Sequence, residues 1–302
     1  MRILGTGSAA PVNILTNQML SNMVDTSDEW IVERTGIHTR HIAADNESAL
    51  TLARQAAMQA LDAADVQIDK IKLVICASVT NELRCPSLAC NIQRDLELPE
   101  DILAFDINAA CSGFIYALIT ASELLKENEY ALIIGSEVLS RITDYRDRNT
   151  CVLFGDGAGA AVIGFSTNPI HWTAMAKGDD QKLRIDDYIH MDGHAVFKFA
   201  VEALTNGIRT VTEKAGFTLA DLDLVVCHQA NERILASAAK RLGISPDRFF
   251  LNLAKYGNTS AASVPMALDE AVRSGQIHKG MRVVLAGFGG GLTSGAVAME
   301  WS

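Results

Sequence analysis

Short apolar runs alternate with longer stretches of helix-forming residues along this chain, a pattern typical of a layered α/β protein with buried sheets. Runs of six to eight mostly apolar residues predict strands that are covered on both faces. The first half of the chain contains four such runs, at residues 72–77, 102–107, 130–135 and 157–164.

The second half of the chain repeats this order of strands. Runs at residues 222–227, 282–287 and 294–299 correspond to the first, third and fourth runs of the first half. Cys227 follows Cys76 by 151 positions, and Gly287 follows Gly135 by 152 positions. A nearly constant offset of this kind indicates an internal duplication.

The duplication predicts two α/β halves, residues 1–165 and 166–302, joined where turn-forming residues interrupt the pattern at 166–169. Two copies related by a pseudo-twofold axis place their equivalent loops face to face. We therefore expect a functional site that is built from both halves.

Composition and charge narrow the classes of function. The 302 residues are 49% hydrophobic and 21% charged, enough to bury a large core. No apolar run is long enough to cross a bilayer and no leader pattern is visible, so we expect a cytoplasmic protein without a membrane partner. A net charge of -10 argues against nucleic acid as a general partner, but leaves room for a local basic patch that binds an acidic protein.

The cysteines give no sign of a metal site. None of the six lies in a C-x-x-C pair, so the sequence predicts neither a bound metal nor a redox couple. In the cytoplasm they are expected to be reduced, and most to be small buried apolar groups. They are Cys76, Cys85, Cys90, Cys111, Cys151 and Cys227.

Two glycine-rich segments resemble nucleotide motifs only in part. Residues 5–10 loosely match a dinucleotide fingerprint, but Pro11 follows at once, and we expect a turn and the start of a strand. Residues 155–160 lack the Lys-Ser/Thr pair of a phosphate loop, and their small side chains suit close backbone packing. Neither segment predicts a nucleotide cofactor.

Cys111 is the first candidate for chemistry. It follows the predicted strand 102–107 and precedes an apolar stretch, 114–121, that predicts a buried helix. A thiol at such a turn faces free backbone N–H groups and the positive end of the helix dipole, which favour the thiolate. Taken alone, the same position also suits an inert structural cysteine.

Three further segments carry candidate polar groups. His228 ends the strand 222–227, where sites in such sheets collect, although a lone histidine there is more often a hydrogen-bonded core or surface residue. Asn258 lies in a glycine-containing loop before a helix that begins near 263–265, and alone it suits a cap or turn. Residues 288–292 contain three glycines whose N–H groups could form an oxyanion hole or a plain hairpin turn.

Together these segments resemble the β-ketoacyl-[acyl-carrier-protein] synthase III family, in the family's order from about Gly5 to the C-terminus. The resemblance rests on specific strings. They are SDEWI at 27–31, RTGI at 34–37, ACSGF at 110–114, FGDGAGA at 154–160, HQAN at 228–231, GNTSAASVP at 257–265 and FGGGLT at 288–293.

The resemblance implies a thiolase-like fold, with two duplicated halves in a layered α-β-α-β-α arrangement, and a decarboxylative Claisen condensation. By position, Cys111 takes an acyl group from acyl-CoA, which is a substrate, so no cofactor is implied. His228 and Asn258 then bind the carbonyl of malonyl-acyl carrier protein and stabilise the enolate left when carbon dioxide departs. The backbone N–H groups of Cys111 and Gly290 form the oxyanion hole.

The resemblance also assigns residues that bind coenzyme A. Trp30, Arg34 and Arg148 match positions that clamp its adenine end, a task suited to stacking and phosphate pairing. Asn231 matches a position beside the pantetheine channel. Phe288 is expected to pack beside the thiol.

A partner surface and a homodimer are implied in the same way. Arg233, Lys240 and Arg241 resemble the docking surface for the acidic carrier protein, which would steer the carrier against a negative overall charge. A solvated helix face explains the same three residues equally well.

Two departures from the family pattern bear on the acyl substrate. Cys85 stands where the family commonly has an aromatic residue that reaches across the dimer to close the partner's acyl pocket. The segment 172–191 is shorter than its usual counterpart. A longer or branched primer, and a role in secondary metabolism, therefore stay open beside the initiation of fatty acid synthesis.

Three rival functions are weighed against this one. A Cys-His-Asn order also describes papain-like hydrolases, and here would predict a thioester hydrolase. A catalytically silent thiolase-fold subunit is a second rival, although all three catalytic side chains are present. The third keeps the fold and chemistry but uses malonyl-CoA or a β-keto acid as acceptor.

Overall fold

The computed structural model describes all 302 residues of the chain. Its strands are β1 Arg2–Ala9, β2 Ile14–Thr16, β3 Thr39–His41, β4 Ile71–Ala77, β5 Leu103–Ile107, β6 Tyr130–Glu137, β7 Gly157–Gly164, β8 His171–Asp179, β9 Leu183–Ile185, β10 Ile189–Met191, β11 Leu224–Cys227, β12 Arg282–Gly289 and β13 Gly291–Glu300. Its helices are α1 Asn17–Leu20, α2 Asp28–Thr35, α3 Ala49–Ala64, α4 Leu88–Asp95, α5 Gly113–Leu124, α6 Arg148–Cys151, α7 Gly193–Lys214, α8 Glu232–Leu242, α9 Leu253–Tyr256 and α10 Ser263–Arg273. Every strand predicted from an apolar run is present.

Two large sheets repeat one topology. The first has the strand order β1-β7-β6-β4-β5 and the second β8-β13-β12-β11. In each, the first two pairings are antiparallel and the next is parallel. The parallel pairing of β4 with β5 has its counterpart in a single parallel bridge between Val225 and Phe249. The boundary predicted after residue 165 falls in the connection between β7 and β8.

The three largest apolar clusters show that helices and sheets stack in five layers. α5 and α10 lie between the sheets, where Phe114 and Leu268 join one cluster with side chains of both sheets. α3 and α4 cover the outer face of the first sheet. α7 and α8 cover the outer face of the second. The predicted α-β-α-β-α arrangement is confirmed.

The glycine-rich start of the chain differs from the sequence prediction. Residues 5–9 lie within β1, so the expected turn is wrong. A Cβ at Gly5 would come within 2.3 Å of the Ala60 carbonyl oxygen, and one at Gly7 within 2.3 Å of that of Ala56. These glycines therefore let β1 approach the alanine face of α3. The cluster at 155–160 is used as predicted, since Gly159 packs against Pro265 at the start of α10.

The segment 172–191 forms β8 at the edge of the second sheet and then the β9-β10 hairpin. Side chains of this hairpin wall the large cavity described below. None of the helices combines the length and the apolar character required for a membrane span.

Candidate active site

Two matching turns face each other between the sheets. The turn Ala110–Ser112 begins α5, and the turn Ser260–Ala262 begins α10. Each opens on a residue with positive φ, 46° at Ala110 and 48° at Ser260. Non-glycine residues in this region are strained and occur preferentially at functional sites. The duplication thus places Cys111 opposite its own counterpart, Ala261.

Each turn rests on a glycine from the other half of the chain. A Cβ at Gly135 in β6 would lie 2.1 Å from the Ala261 carbonyl oxygen. A Cβ at Gly287 in β12 would lie 3.2 Å from the Cα of Ser112. A Cβ at Gly135 would clash outright, and one at Gly287 would force its neighbours to move by a few tenths of an ångström, so the two halves interlock closely at both turns.

One cavity of about 920 Å³ receives all three predicted catalytic side chains. Cys111 comes from the first half, whereas His228 and Asn258 come from the second. The prediction that groups from both halves converge on one cavity therefore agrees with the geometry. Their catalytic roles are taken up below as a proposal.

The Cys111 thiol is deeply buried, although the residue as a whole keeps some exposure. Burial raises the pKa of this thiol to about 12, while the Ser260 side chain, as a hydrogen-bonding neighbour, opposes the shift. The protonated thiol is therefore the resting form at neutral pH. The expected thiolate is wrong, because desolvation outweighs the favourable helix terminus.

His228 directly follows β11 and is only 1% exposed. Its ring meets that of Phe288 edge to face, with centroids 5.0 Å apart, and Phe288 lines the same cavity as Cys111. Burial lowers the pKa of His228 to about 3, and its Nδ1 has no hydrogen-bond partner. The imidazole is thus neutral at physiological pH and suited to donating a hydrogen bond.

Asn258 is fixed by its backbone and by its side-chain oxygen. Its N–H donates to the Leu153 carbonyl at 2.9 Å, and its carbonyl accepts from the Gly155 N–H at 3.0 Å. Its Oδ1 accepts the Ser260 N–H at 2.9 Å. These bonds leave the Nδ2 hydrogens of Asn258 for a group in the cavity.

The glycine-rich segment after Phe288 closes over Cys111. A Cβ at Gly289 would lie 2.7 Å from the Cys111 nitrogen, and Gly290 lines the cavity. The Thr293 hydroxyl lies 2.6 Å from that of Ser112 and 2.9 Å from the Gly290 carbonyl oxygen. These contacts hold Gly290 against the nucleophile turn.

The residues predicted to bind coenzyme A meet at the mouth of the cavity. The guanidinium carbons of Arg34 and Arg148 each lie 4.9 Å from the centre of the Trp30 ring. Trp30, Arg34 and Asn231 line the cavity. The Asn231 side chain donates to the Arg34 carbonyl at 2.9 Å and accepts the Arg233 N–H, so it joins the mouth to the start of α8.

The other predicted contact residues lie further from the thiol. Arg233 lines the mouth, whereas Lys240 and Arg241 stand in the last turn of α8, about 10 Å along the helix axis. Cys85 is exposed and does not line the cavity of its own chain.

Three polar residues of the site escaped the sequence analysis: Glu137, Ser260 and Thr293. Ser260 and Thr293 stand inside the motifs at 257–265 and 288–293, which do not single them out. Glu137 ends β6, whose eight residues include seven buried ones. A carboxylate at the end of a buried strand was a signal that could have been used.

Two duplicated halves that bring a cysteine together with a histidine and an asparagine in one cavity of about 920 Å³ define a thiolase-fold condensing enzyme. Residues 105–178 match the family model of 3-oxoacyl-[acyl-carrier-protein (ACP)] synthase III, and residues 212–301 match the model of its C-terminal part. The chain therefore belongs to the 3-oxoacyl-[acyl-carrier-protein] synthase III family.

Individual relatives agree over the full length. The chain is 48% identical to β-ketoacyl-[acyl-carrier-protein] synthase III of Neisseria meningitidis serogroup A, covering 99% of both chains. The crystal structure of the synthase III from Aquifex aeolicus is 44% identical, with a TM-score of 0.95 and 99% of both chains covered. The priming β-ketosynthase of the R1128 polyketide pathway is 34% identical, with a TM-score of 0.93, covering 99% of this chain and 96% of that one.

Proposed function

We propose that this enzyme condenses an acyl-CoA primer with malonyl-acyl carrier protein, releasing carbon dioxide and giving a β-ketoacyl-acyl carrier protein, the step that initiates fatty acid synthesis. The observation that carries the proposal is the single cavity that Cys111 of one half shares with His228 and Asn258 of the other. Membership of the synthase III family supports the same reaction.

The first half-reaction loads the enzyme. The sulfur of Cys111 attacks the thioester carbonyl of acyl-CoA, a new C–S bond forms, and the bond to the coenzyme A sulfur breaks. Negative charge collects on the carbonyl oxygen during this exchange. The N–H groups of Cys111 and Gly290 hold that oxygen, and each such donor typically lowers the barrier by about 3 kcal/mol.

The second half-reaction uses the other two groups. His228 and Asn258 donate to the thioester carbonyl of the malonyl group, so the enolate formed as carbon dioxide leaves is stabilised more than the ground state. Burial lowers the pKa of His228 to about 3, so the ring acts as a neutral donor. The enolate carbon then attacks the acyl group on Cys111, the bond between the acyl carbon and the sulfur breaks, and the released thiolate takes up a proton from solvent to restore the free thiol.

The mouth of the cavity suits a nucleotide thioester. Trp30 offers an aromatic face for adenine, and Arg34 and Arg148 flank it to pair with phosphate. Arg233 at the mouth then meets the acidic carrier protein after coenzyme A has left.

We further propose a homodimer formed through β5. β5 is the edge strand of the first sheet, and Leu103 on it is 58% exposed. An unpaired apolar edge is stable in solution when another copy covers it. Asp106 of β5 accepts the N–H groups of Leu88 and Ala89 at the start of α4, which holds the preceding Cys85 loop beside this edge. In the proposed dimer, Cys85 reaches toward the partner subunit.

The apolar side chains that line the cavity bear on the size of the acyl primer. Leu139, Phe154 and Ile189 form an apolar cluster there, and the small Cys85 would leave more room than an aromatic residue. A longer or branched primer is therefore a second candidate.

Stepwise mass measurement tests the proposal. The protein is incubated with acyl-CoAs of increasing chain length, the mass added to Cys111 is read, and malonyl-acyl carrier protein is added while carbon dioxide is followed. Cys111→Ala is expected to lose the adduct, whereas Cys90→Ala, which alters a cysteine outside the cavity, keeps it. Asn258→Ala is expected to load normally but to release no carbon dioxide. Free acid without malonyl consumption would identify a hydrolase, and no adduct at all would identify a silent subunit.

A further inference from the structure

Glu137 is a buried carboxyl group beside the nucleophile. It is fully buried at the end of β6. The duplication that relates Gly135 to Gly287 also relates Glu137 to Gly289, the residue that packs against the Cys111 nitrogen. The same position in the two halves thus carries a carboxylate in one and no side chain in the other.

This carboxylate occupies the counterpart of the oxyanion hole. The Ala261 N–H donates a hydrogen bond to it, and Ala261 corresponds to Cys111 in the matching turn. Of two equivalent anion sites, therefore, the one at Cys111 is open to the cavity. The other is permanently filled by Glu137.

The surroundings of Glu137 are polar but uncharged. From the loop after β4, the Thr80 hydroxyl donates at 2.6 Å, the Val79 N–H at 3.1 Å and the Ser78 hydroxyl at 3.3 Å. From the turn before α10, the Ser260 hydroxyl donates at 3.1 Å. Because no cation offsets burial, the pKa of Glu137 is raised to about 7.

Ser260 connects this carboxylate to the thiol. Its hydroxyl donates to Glu137 at 3.1 Å, and Ser260 lines the same cavity as Cys111, whose pKa it lowers as a hydrogen-bonding neighbour. A hydroxyl group has one hydrogen and two acceptor sites. It can therefore accept the S–H hydrogen while its own hydrogen points to the carboxylate. Cys111 is also the ionisable group that couples electrostatically to Glu137, from the turn before α5.

We propose that Glu137 is a positioning residue that acts through Ser260 to take up the proton which the Cys111 thiol gives up during acylation. As the Cys111 sulfur bonds to the acyl carbon, its proton passes to the Ser260 oxygen and the Ser260 hydrogen passes to Glu137. When the bond to coenzyme A breaks, the proton returns through Ser260 to the departing sulfur. One thioester and one thiol enter, and one of each results.

The alternative acceptor in the cavity is His228. Its ring is buried without a partner at Nδ1, and burial lowers its pKa to about 3. A proton on His228 is therefore held far less strongly than one on Glu137, for which burial acts in the opposite direction. The two groups thus divide the work: His228 donates to the malonyl carbonyl, and Glu137 serves the thiol.

The test measures how the rate of Cys111 modification depends on pH, from about pH 5.5 to 9. Two probes are used, acetyl-CoA and iodoacetamide, and the mass added at Cys111 is read in each case. Wild type is expected to show an inflection close to pH 7, where Glu137 loses its proton. Glu137→Gln keeps the size of the side chain but is expected to lose the inflection and react at least ten-fold more slowly at pH 8. Ser260→Ala should behave in the same way, and the double variant no worse than either one.

Thr80→Val is the matched control. It removes a hydrogen bond from the far side of the carboxylate and leaves Ser260 in place, so the inflection should move to higher pH without vanishing. An inflection near pH 7 that persists in Glu137→Gln or in Ser260→Ala, or a rate lowered equally at every pH, would overturn the proposal. The acetyl-CoA arm rests on the proposed function, whereas the iodoacetamide arm does not. If wild type reacts with iodoacetamide but never with an acyl-CoA, the proposed function fails and the Glu137 proposal is still decided.

Discussion

Replacing Gly289 by alanine tests the claim that close backbone approach builds the site. The added Cβ would lie 2.7 Å from the Cys111 nitrogen and 2.9 Å from the Cys111 Cβ. Neither atom can rotate away, so reaching ordinary contact requires the nucleophile turn or the end of β12 to move by roughly 0.7 Å or more. Overpacking of this kind costs about 1–3 kcal/mol of stability. A misplacement near 1 Å lowers a reaction rate about 100-fold.

Two measurements on the same preparation separate these effects. Urea denaturation gives the free energy of unfolding, and single-turnover acylation by acyl-CoA gives the rate at Cys111. Gly178→Ala is the matched control, because a Cβ at Gly178 meets no atom within 4 Å. It should leave both quantities unchanged. Wild-type stability together with wild-type acylation in Gly289→Ala would refute the reasoning.

Three further predictions concern the mouth, the buried carboxyl and the sheet edge. Trp30→Ala should raise KM for acyl-CoA about ten-fold in steady-state assays, because it removes a stacking face, whereas Trp172→Ala, whose indole bonds Glu123 elsewhere, should not. The pKa of Glu137 is raised from 4.5 to about 7, so the unfolded chain releases this proton first as pH rises. Wild type should therefore lose about 3 kcal/mol of stability between pH 4.5 and 7 relative to Glu137→Gln in urea titrations, and a parallel pH dependence would contradict this. Leu103→Lys should shift the protein from dimer to monomer in sedimentation velocity, and Met58→Lys on the outer face of α3 should not.

The duplicated fold could be predicted from the chain because buried strands leave strong apolar runs. β6 and β7 begin at the predicted residues, and α10 begins at Ser263 as expected. β8 was missed, since an edge strand with mostly exposed side chains has no continuous apolar run. β1 was obscured by glycines whose purpose, close packing on α3, depends on a helix more than 40 residues away.

The residues of the candidate site could be predicted from the sequence, but their protonation states could not. Cys111, His228 and Asn258 stand in recognisable strings, and they meet in one cavity. The protonation state of Cys111 could not be read from those strings, because it depends on how deeply the turn is buried and on Glu137, 26 residues further along the chain. The contact between Glu137 and Cys111 is made through Ser260, which belongs to the other half of the chain.

The interlocking of each turn with a glycine of the opposite half has a consequence for how the enzyme tolerates sequence change. The nucleophile Cys111 belongs to the first half, but Gly287, the residue against which its turn packs, belongs to the second. A change at Gly287 in the second half would therefore move the turn that carries Cys111 in the first. A chimera that joins halves of two homologues should therefore fold more readily than it turns over substrate.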